Sequence, residues 1–162
     1  MKVENVPLKP EDYFPRLSDR MLPSLLNSYK ILEFGGVRGC GKTYTCLSVA
    51  RTITHADEKT VVLPLIQSDP RLAISGARPH VIDEWQTIPE LQELAYRKAE
   101  AAGSLLLTTS VRPDAPEPYV RTHAGRGAHV HMHTLSLFEL GLSNGSVSLA
   151  GLLDERFEPA SG

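Results

Sequence analysis

Residues Gly36-Val37-Arg38-Gly39-Cys40-Gly41-Lys42-Thr43 fit the pattern G-x-x-x-x-G-K-[ST], and they lie between an apolar run and a helix-forming run. Glycines at these places let the backbone wrap closely round an anion, so that successive N–H groups and the start of the next helix point at phosphate. Lys42 is then expected to reach the β/γ oxygens and Thr43 to ligate magnesium. Upstream, Ile31-Leu32-Glu33-Phe34 reads as a short buried strand; downstream, Tyr44 to Thr52 is free of Gly and Pro and reads as helix. The expected nucleotide contacts are therefore Gly36, Val37, Arg38, Gly39, Cys40, Gly41, Lys42, Thr43 and Tyr44.

The 162 residues suffice for one domain with a real core. Seventeen basic against nineteen acidic residues leave a net charge of −2, so no global basic field points to a nucleic-acid partner. No run approaches a membrane span, and the first residues, Met1-Lys2-Val3-Glu4-Asn5, lack the basic start and apolar core of a signal peptide, so the expected compartment is cytoplasmic. Cys40 and Cys46 are six residues apart on the loop and its helix, poor geometry for a disulfide, and read as free thiols. Cys40 would sit near a helix start, where thiolates are favoured, and its oxidation would block nucleotide binding.

Residues 1–17 hold three of the twelve prolines and read as an irregular lead-in. The expected core spans 18–155, with 156–162 a flexible tail. Met21, Leu22, Leu25 and Leu26 have helical spacing, and Pro23 is tolerable only in a first turn, which predicts a short helix over the sheet edge. Thr60-Val61-Val62-Leu63-Pro64-Leu65 reads as a second strand, at an edge because of Pro64. A short segment Asp69 to Ile74 follows. Pro79-His80-Val81-Ile82-Asp83-Glu84-Trp85 reads as a strand ending in two acids. Thr87-Ile88-Pro89-Glu90 has a capping-box pattern and opens a helix with Leu91, Leu94, Ala95 and Ala99 on one face, closed by Gly103. Ser104 to Ser110 is apolar and then abruptly polar, a fourth strand. Strands alternating with helices mean an α/β fold with a mostly parallel sheet, three layers deep, of about five strands. Ligands bind such sheets at the carboxyl ends of the strands, where the loop, Asp83-Glu84 and Thr108-Thr109-Ser110 all fall.

In phosphate-loop ATPases one carboxylate after the third strand holds the magnesium shell, and an adjacent glutamate orients and deprotonates the attacking water. Asp83 fits the first role and Glu84 the second, against the plainer reading of a solvated acidic pair in a turn. Strand 104–109 inserted between the acid-bearing and loop strands would mark the division that uses the added glutamate, with Thr109 or Ser110 sensing the γ-phosphate.

These segments resemble the prokaryotic AAA-type ATPases that carry a C-terminal domain of unknown function. The resemblance rests on the glycine-arginine loop, Pro79 to Gln86, Leu107-Thr108-Thr109-Ser110, His123-Ala124-Gly125-Arg126 and Leu135-Ser136-Leu137-Phe138-Glu139, and covers roughly Tyr13 to Leu153. It implies an ATP-binding AAA-like core of the P-loop NTPase class, with Arg126 contacting nucleotide in cis or from a neighbouring subunit. Three departures stand out. Thr109 replaces a glycine of the family's strand end; Leu65 to Pro79 is short for a crossover; and the family continues into a lid and a further domain beyond the length of this chain.

His129, His131 and His133 would share one strand face, a weak zinc or nickel site at most and more simply a polar face. Trp85 reads as a packing residue rather than an adenine platform. Arg38 would reach phosphate or pair with an acid. The expected activity is Mg-ATP hydrolysis, with catalytic Glu84, Lys42 and Arg126. Two rivals are a nucleotide-binding interaction module with little hydrolysis and a small-molecule kinase whose lid would need Arg112, Arg121 and Arg126. Self-association or an unidentified protein partner is compatible with Leu137, Phe138, Leu140, Leu149, Leu152 and Leu153 lacking a full partner surface.

Overall fold

A computed structural model of the chain describes residues 8–110, 125–146 and 153. Five strands, β1 Ile31–Gly36, β2 Thr52–His55, β3 His80–Asp83, β4 Leu105–Ser110 and β5 Gly127–Met132, form one sheet in the order β2-β3-β4-β1-β5. Every pairing is parallel. The registers align all carboxyl ends at one rim: Gly36 lies beside Ser110 and Met132, and His55 beside Asp83. β4 stands between the acid-bearing β3 and the loop strand β1, as the sequence implies.

Side chains alternate across the sheet, and each face has its own core. On one face Ile31, Ile82, Leu105 and Leu107 pack against Val62, Trp85, Leu91 and Ala95. On the other, Leu32, Phe34, Val81, Leu106 and Val130 pack against Leu22 and Cys46. Helices α3 (Lys59–Ser68) and α4 (Glu90–Lys98) therefore cover the first face, and α1 (Leu22–Ser28) and α2 (Lys42–Leu47) the second, giving the expected three-layer α/β architecture. Glu33 is the exception in β1. It is buried at 4 % exposure and is satisfied by the Gln92 amide at 2.8 Å and by a hydrogen bond with Tyr96.

Several expectations are corrected. The run 60–65 is not a strand: it lies inside α3, with Pro64 within the helix, while the second strand is Thr52–His55. The helix after the loop accordingly ends at Leu47 instead of Thr52. With β2 moved upstream, residues 56–79 form the crossover, and its apparent shortness disappears. α1 lies on a sheet face instead of its edge, because Leu22, Leu25 and Leu26 join the cluster around Leu32 and Phe34. The α4 capping box does not form: the Thr87 hydroxyl donates to the Glu84 carbonyl at 2.9 Å, and the helix starts after Pro89.

Candidate nucleotide site

The loop between β1 and α2 is shaped by two of its glycines. A Cβ on Gly36 would run into the Met132 carbonyl oxygen, so only glycine lets β5 close against the end of β1. Gly41 caps α2 at φ 98°, a left-handed conformation that other residues adopt only with strain. Lys42 is buried, and its Nζ donates to the Gly36 and Val37 carbonyls at 3.1 and 3.0 Å. Val37, Arg38 and Gly39 form the exposed tip.

Facing the loop, Asp83 ends β3 and Glu84 follows it. The Thr43 hydroxyl donates to Asp83 Oδ1 at 2.8 Å, and the Thr108 hydroxyl donates to the same oxygen at 2.6 Å. His55 Nδ1 lies 3.3 Å from Asp83 Oδ2. Thr108 Oγ1 also accepts the Glu84 backbone N–H at 2.9 Å, so one hydroxyl fixes both acids. The Glu84 carboxylate accepts from the Ser110 hydroxyl at 2.6 Å and from the Gln86 amide. The start of α2 and the ends of β3 and β4 thus form a single hydrogen-bonded array from Thr43 to Ser110. Thr43 and Asp83 offer paired oxygens, the donor set a hard divalent cation such as magnesium takes, and the residues present fit that ion.

The polar end of β4 divides between the two faces. Thr108 and Ser110 face the acids, whereas Thr109 projects the other way, 3 % exposed, with its hydroxyl unpartnered among the described residues. Strand alternation already carries that distinction: Thr108 and Ser110 share the face of Leu106. The sequence pattern alone does not set Thr108 apart from its neighbours, and it singles out neither His55 nor Gln86.

A cavity of about 390 Å³ adjoins the loop. Its walls include Asp12, Tyr13, Phe14, Tyr44, Thr134 and Leu135. Residues 8–16 have no helix or strand, yet Tyr13 is anchored: its hydroxyl donates to Asp19 at 2.7 Å, and its burial raises its pKa to about 12. Arg16 donates to the Cys40 carbonyl within the loop at 2.6 Å.

Arg126 is elsewhere. It precedes β5, and its carbonyl accepts from the N–H groups of Lys30 and Ile31 at the amino end of β1. A six-residue strand spans about 20 Å, so Arg126 lies at the amino-end rim of the sheet, opposite the rim that carries the loop. Arg112 and Arg121, which a kinase lid would need, lie outside the described residues, as do His123, Ala124, Leu149 and Leu152. Trp85 is buried in the α4-side core. His131 and His133 contact one another with ring centroids 4.6 Å apart, and no cluster of metal-ligating side chains occurs among the described residues. Both cysteines are buried free thiols, and burial pushes the Cys46 thiol well up.

No protein-family model and no curated protein matches the chain. Solved structures do. The Walker-type ATPase PABY2304 of Pyrococcus abyssi superposes with a TM-score of 0.47 at 14 % identity, over 94 % of this chain and 62 % of that one. AMPPCP-bound DnaA from Aquifex aeolicus gives 0.49 at 14 % identity, over 77 % and 50 %. PCH-2 of C. elegans gives 0.42 at 14 % identity, over 76 % and 41 %. The chain thus spans between 41 % and 62 % of the length of these three proteins, to which it is similar in fold.

Proposed function

We propose that the chain binds Mg-ATP and hydrolyses it to ADP and phosphate, as the core of an AAA-type ATPase. The observation that carries this reading is the continuous array Thr43–Asp83–Thr108–Glu84–Ser110 beside a phosphate loop, with its members drawn from the start of α2 and the ends of β3 and β4. The loop amides and Lys42 bind the β and γ phosphates, and the adjoining cavity takes the base and ribose. Thr43 and Asp83 hold magnesium, which when bound offsets charge on the phosphate oxygens.

Glu84 accepts the proton of the water that attacks the γ-phosphorus in line, and the phosphorus–oxygen bond to the β-phosphate breaks as the new one forms. Ser110 orients Glu84 through its 2.6 Å hydrogen bond. Thr108, bonded to both acids, keeps the cation ligand and the base in fixed relation.

A second reading, a binding module with little turnover, draws on the same carboxylate. Each Glu84 oxygen already accepts one bond, from Ser110 or from Gln86, which leaves a single lone pair on each for the attacking water. Glu84→Gln separates the two. Under hydrolysis it abolishes phosphate release while ATP binding persists; under the module reading the parent chain already releases none.

A further inference from the structure

Three stretches far apart in sequence meet at one guanidinium. Arg16 uses its guanidinium in three directions: Nη1 donates to the Cys40 carbonyl at 2.6 Å, Nη2 to the His133 carbonyl at 2.9 Å, and Nε to Glu139 Oε1 at 2.9 Å. The Arg16 and Glu139 side chains are 8 % and 7 % exposed. Glu139 is fully engaged. Its Oε1 also accepts the Leu17 N–H at 2.8 Å, and its Oε2 accepts both the N–H and the hydroxyl of Ser136 at 2.8 Å. Led by the Ser136 N–H, these bonds hold the Glu139 carboxyl down at about 2. Arg16 is itself positioned by Asp19, whose Oδ2 accepts the Arg16 N–H at 2.8 Å.

We infer that Arg16 and Glu139 are positioning residues for the phosphate loop, a clasp that sets the Cys40–Gly41 peptide so that the Gly41 N–H is aimed at phosphate. In a planar trans peptide the C=O and N–H point in opposite directions, so pinning the Cys40 carbonyl to Arg16 fixes the Gly41 N–H on the side of the peptide away from Arg16. That peptide needs holding, because Gly41 is at φ 98° and a glycine there can relax into many other conformations. Arg16 Nη1 is also the atom that a Cβ on Gly41 would meet, at 3.0 Å. A guanidinium suits this role because its rigid fork serves a carboxylate and two carbonyls at once, which an ammonium on a flexible stem does not. The inference rests on the nucleotide reading above and adds to it two residues outside the loop and its facing acids.

The test is the affinity of the chain for Mg-ATP and for tripolyphosphate in the parent, Arg16→Ala, Arg16→Lys, Glu139→Gln and Lys42→Ala, with the ligand-free thermal midpoint of each recorded. Arg16→Ala is expected to weaken both ligands by the same factor, about tenfold, as loss of a charged hydrogen bond to the loop entails. Glu139→Gln is expected to weaken both by less, and Arg16→Ala with Glu139→Gln together by no more than Arg16→Ala alone. Arg16→Lys retains bulk and charge, and it too loses affinity while keeping its thermal midpoint, so the inference stays testable if the alanine variant fails to fold. Weakened ATP with unchanged tripolyphosphate would overturn the clasp, since Arg16 would then act only on the cavity it lines. Binding within twofold of the parent in Arg16→Ala and Arg16→Lys would overturn it as well. Failure of the parent to bind either ligand, with Lys42→Ala no different, would instead overturn the nucleotide reading beneath it.

Discussion

Glu84 is the one non-glycine residue with a positive φ among the described residues, at 53° with ψ 43°. Such a conformation costs a bulky residue on the order of 1–3 kcal/mol and persists only where its surroundings over-determine it. Here the Thr108 hydroxyl takes its N–H, the Thr87 hydroxyl gives to its carbonyl, and Ser110 and Gln86 hold its carboxylate. The strain turns the side chain from β3 toward the end of β4. Ser110→Ala should therefore slow phosphate release, by about tenfold, with ATP affinity unchanged. Thr109→Val should leave turnover alone and raise stability by up to about 1 kcal/mol, because it removes a buried hydroxyl without a partner among the described residues. Steady-state phosphate release and urea unfolding of the two variants check both statements. A turnover defect in Thr109→Val with none in Ser110→Ala would reverse the assignment of faces.

At the scale of elements, α3 is the instructive case. Thr60 to Leu65 has the β-branched, apolar character of a strand, yet it is helical, with Val62 its buried residue and Val61, Leu63 and Leu65 facing out. Position in the chain overrides propensity: β2 fills the sheet edge beside β3, and the segment that links them must cross the face. Pro64 within that helix lacks the N–H for a bond to the Thr60 carbonyl. Pro64→Ala should thus stabilise the fold, by about 1–3 kcal/mol in urea unfolding. A fall in the midpoint would contradict a proline held inside a helix. The strands that carry the site were legible because each ends in a chemical discontinuity: glycine loop after Phe34, acids after Ile82, hydroxyls after Leu107. β2 was not, since Thr52-Ile53-Thr54-His55 is short, half-buried and continuous with a helix-like run. Arg16 was hidden for another reason: its three partners lie 24 to 123 residues away, and no local spacing signals them.

On the scale of the whole molecule, stability against acid depends on buried polar groups, the first of which ties the edge strand β2 to β3. His80 is 1 % exposed within β3, with Nδ1 2.7 Å from the Thr52 hydroxyl and Nε2 3.2 Å from that of Thr54. Thr52 gives its proton to the Ala77 carbonyl, which leaves its lone pairs for an Nδ1–H. Burial, reinforced by the nearby Arg78 charge, lowers the His80 pKa from 6.5 to about 4. The unfolded chain therefore binds a proton below pH 6.5 that the folded chain refuses until about pH 4. Stability is full above the upper value, falls through that window by on the order of 3 kcal/mol, and is level with respect to His80 below it. Glu139 adds a second loss, present above its ordinary 4.5 and removed as pH falls toward 2. Urea unfolding between pH 7 and pH 4, with the His80 ring followed by NMR, should show both the decline and a neutral imidazole at pH 5. A charged ring at pH 5 in the folded protein would contradict it.

The central claim is that the array from Thr43 to Ser110 serves a bound nucleotide triphosphate, and it is tested most directly by phosphate release from Mg-ATP together with ATP protection against thermal unfolding. The parent chain is predicted to be protected and to release phosphate, Glu84→Gln to be protected without release, and Lys42→Ala to lose both. Equal behaviour of all three, with neither protection nor release in the parent, would contradict the account.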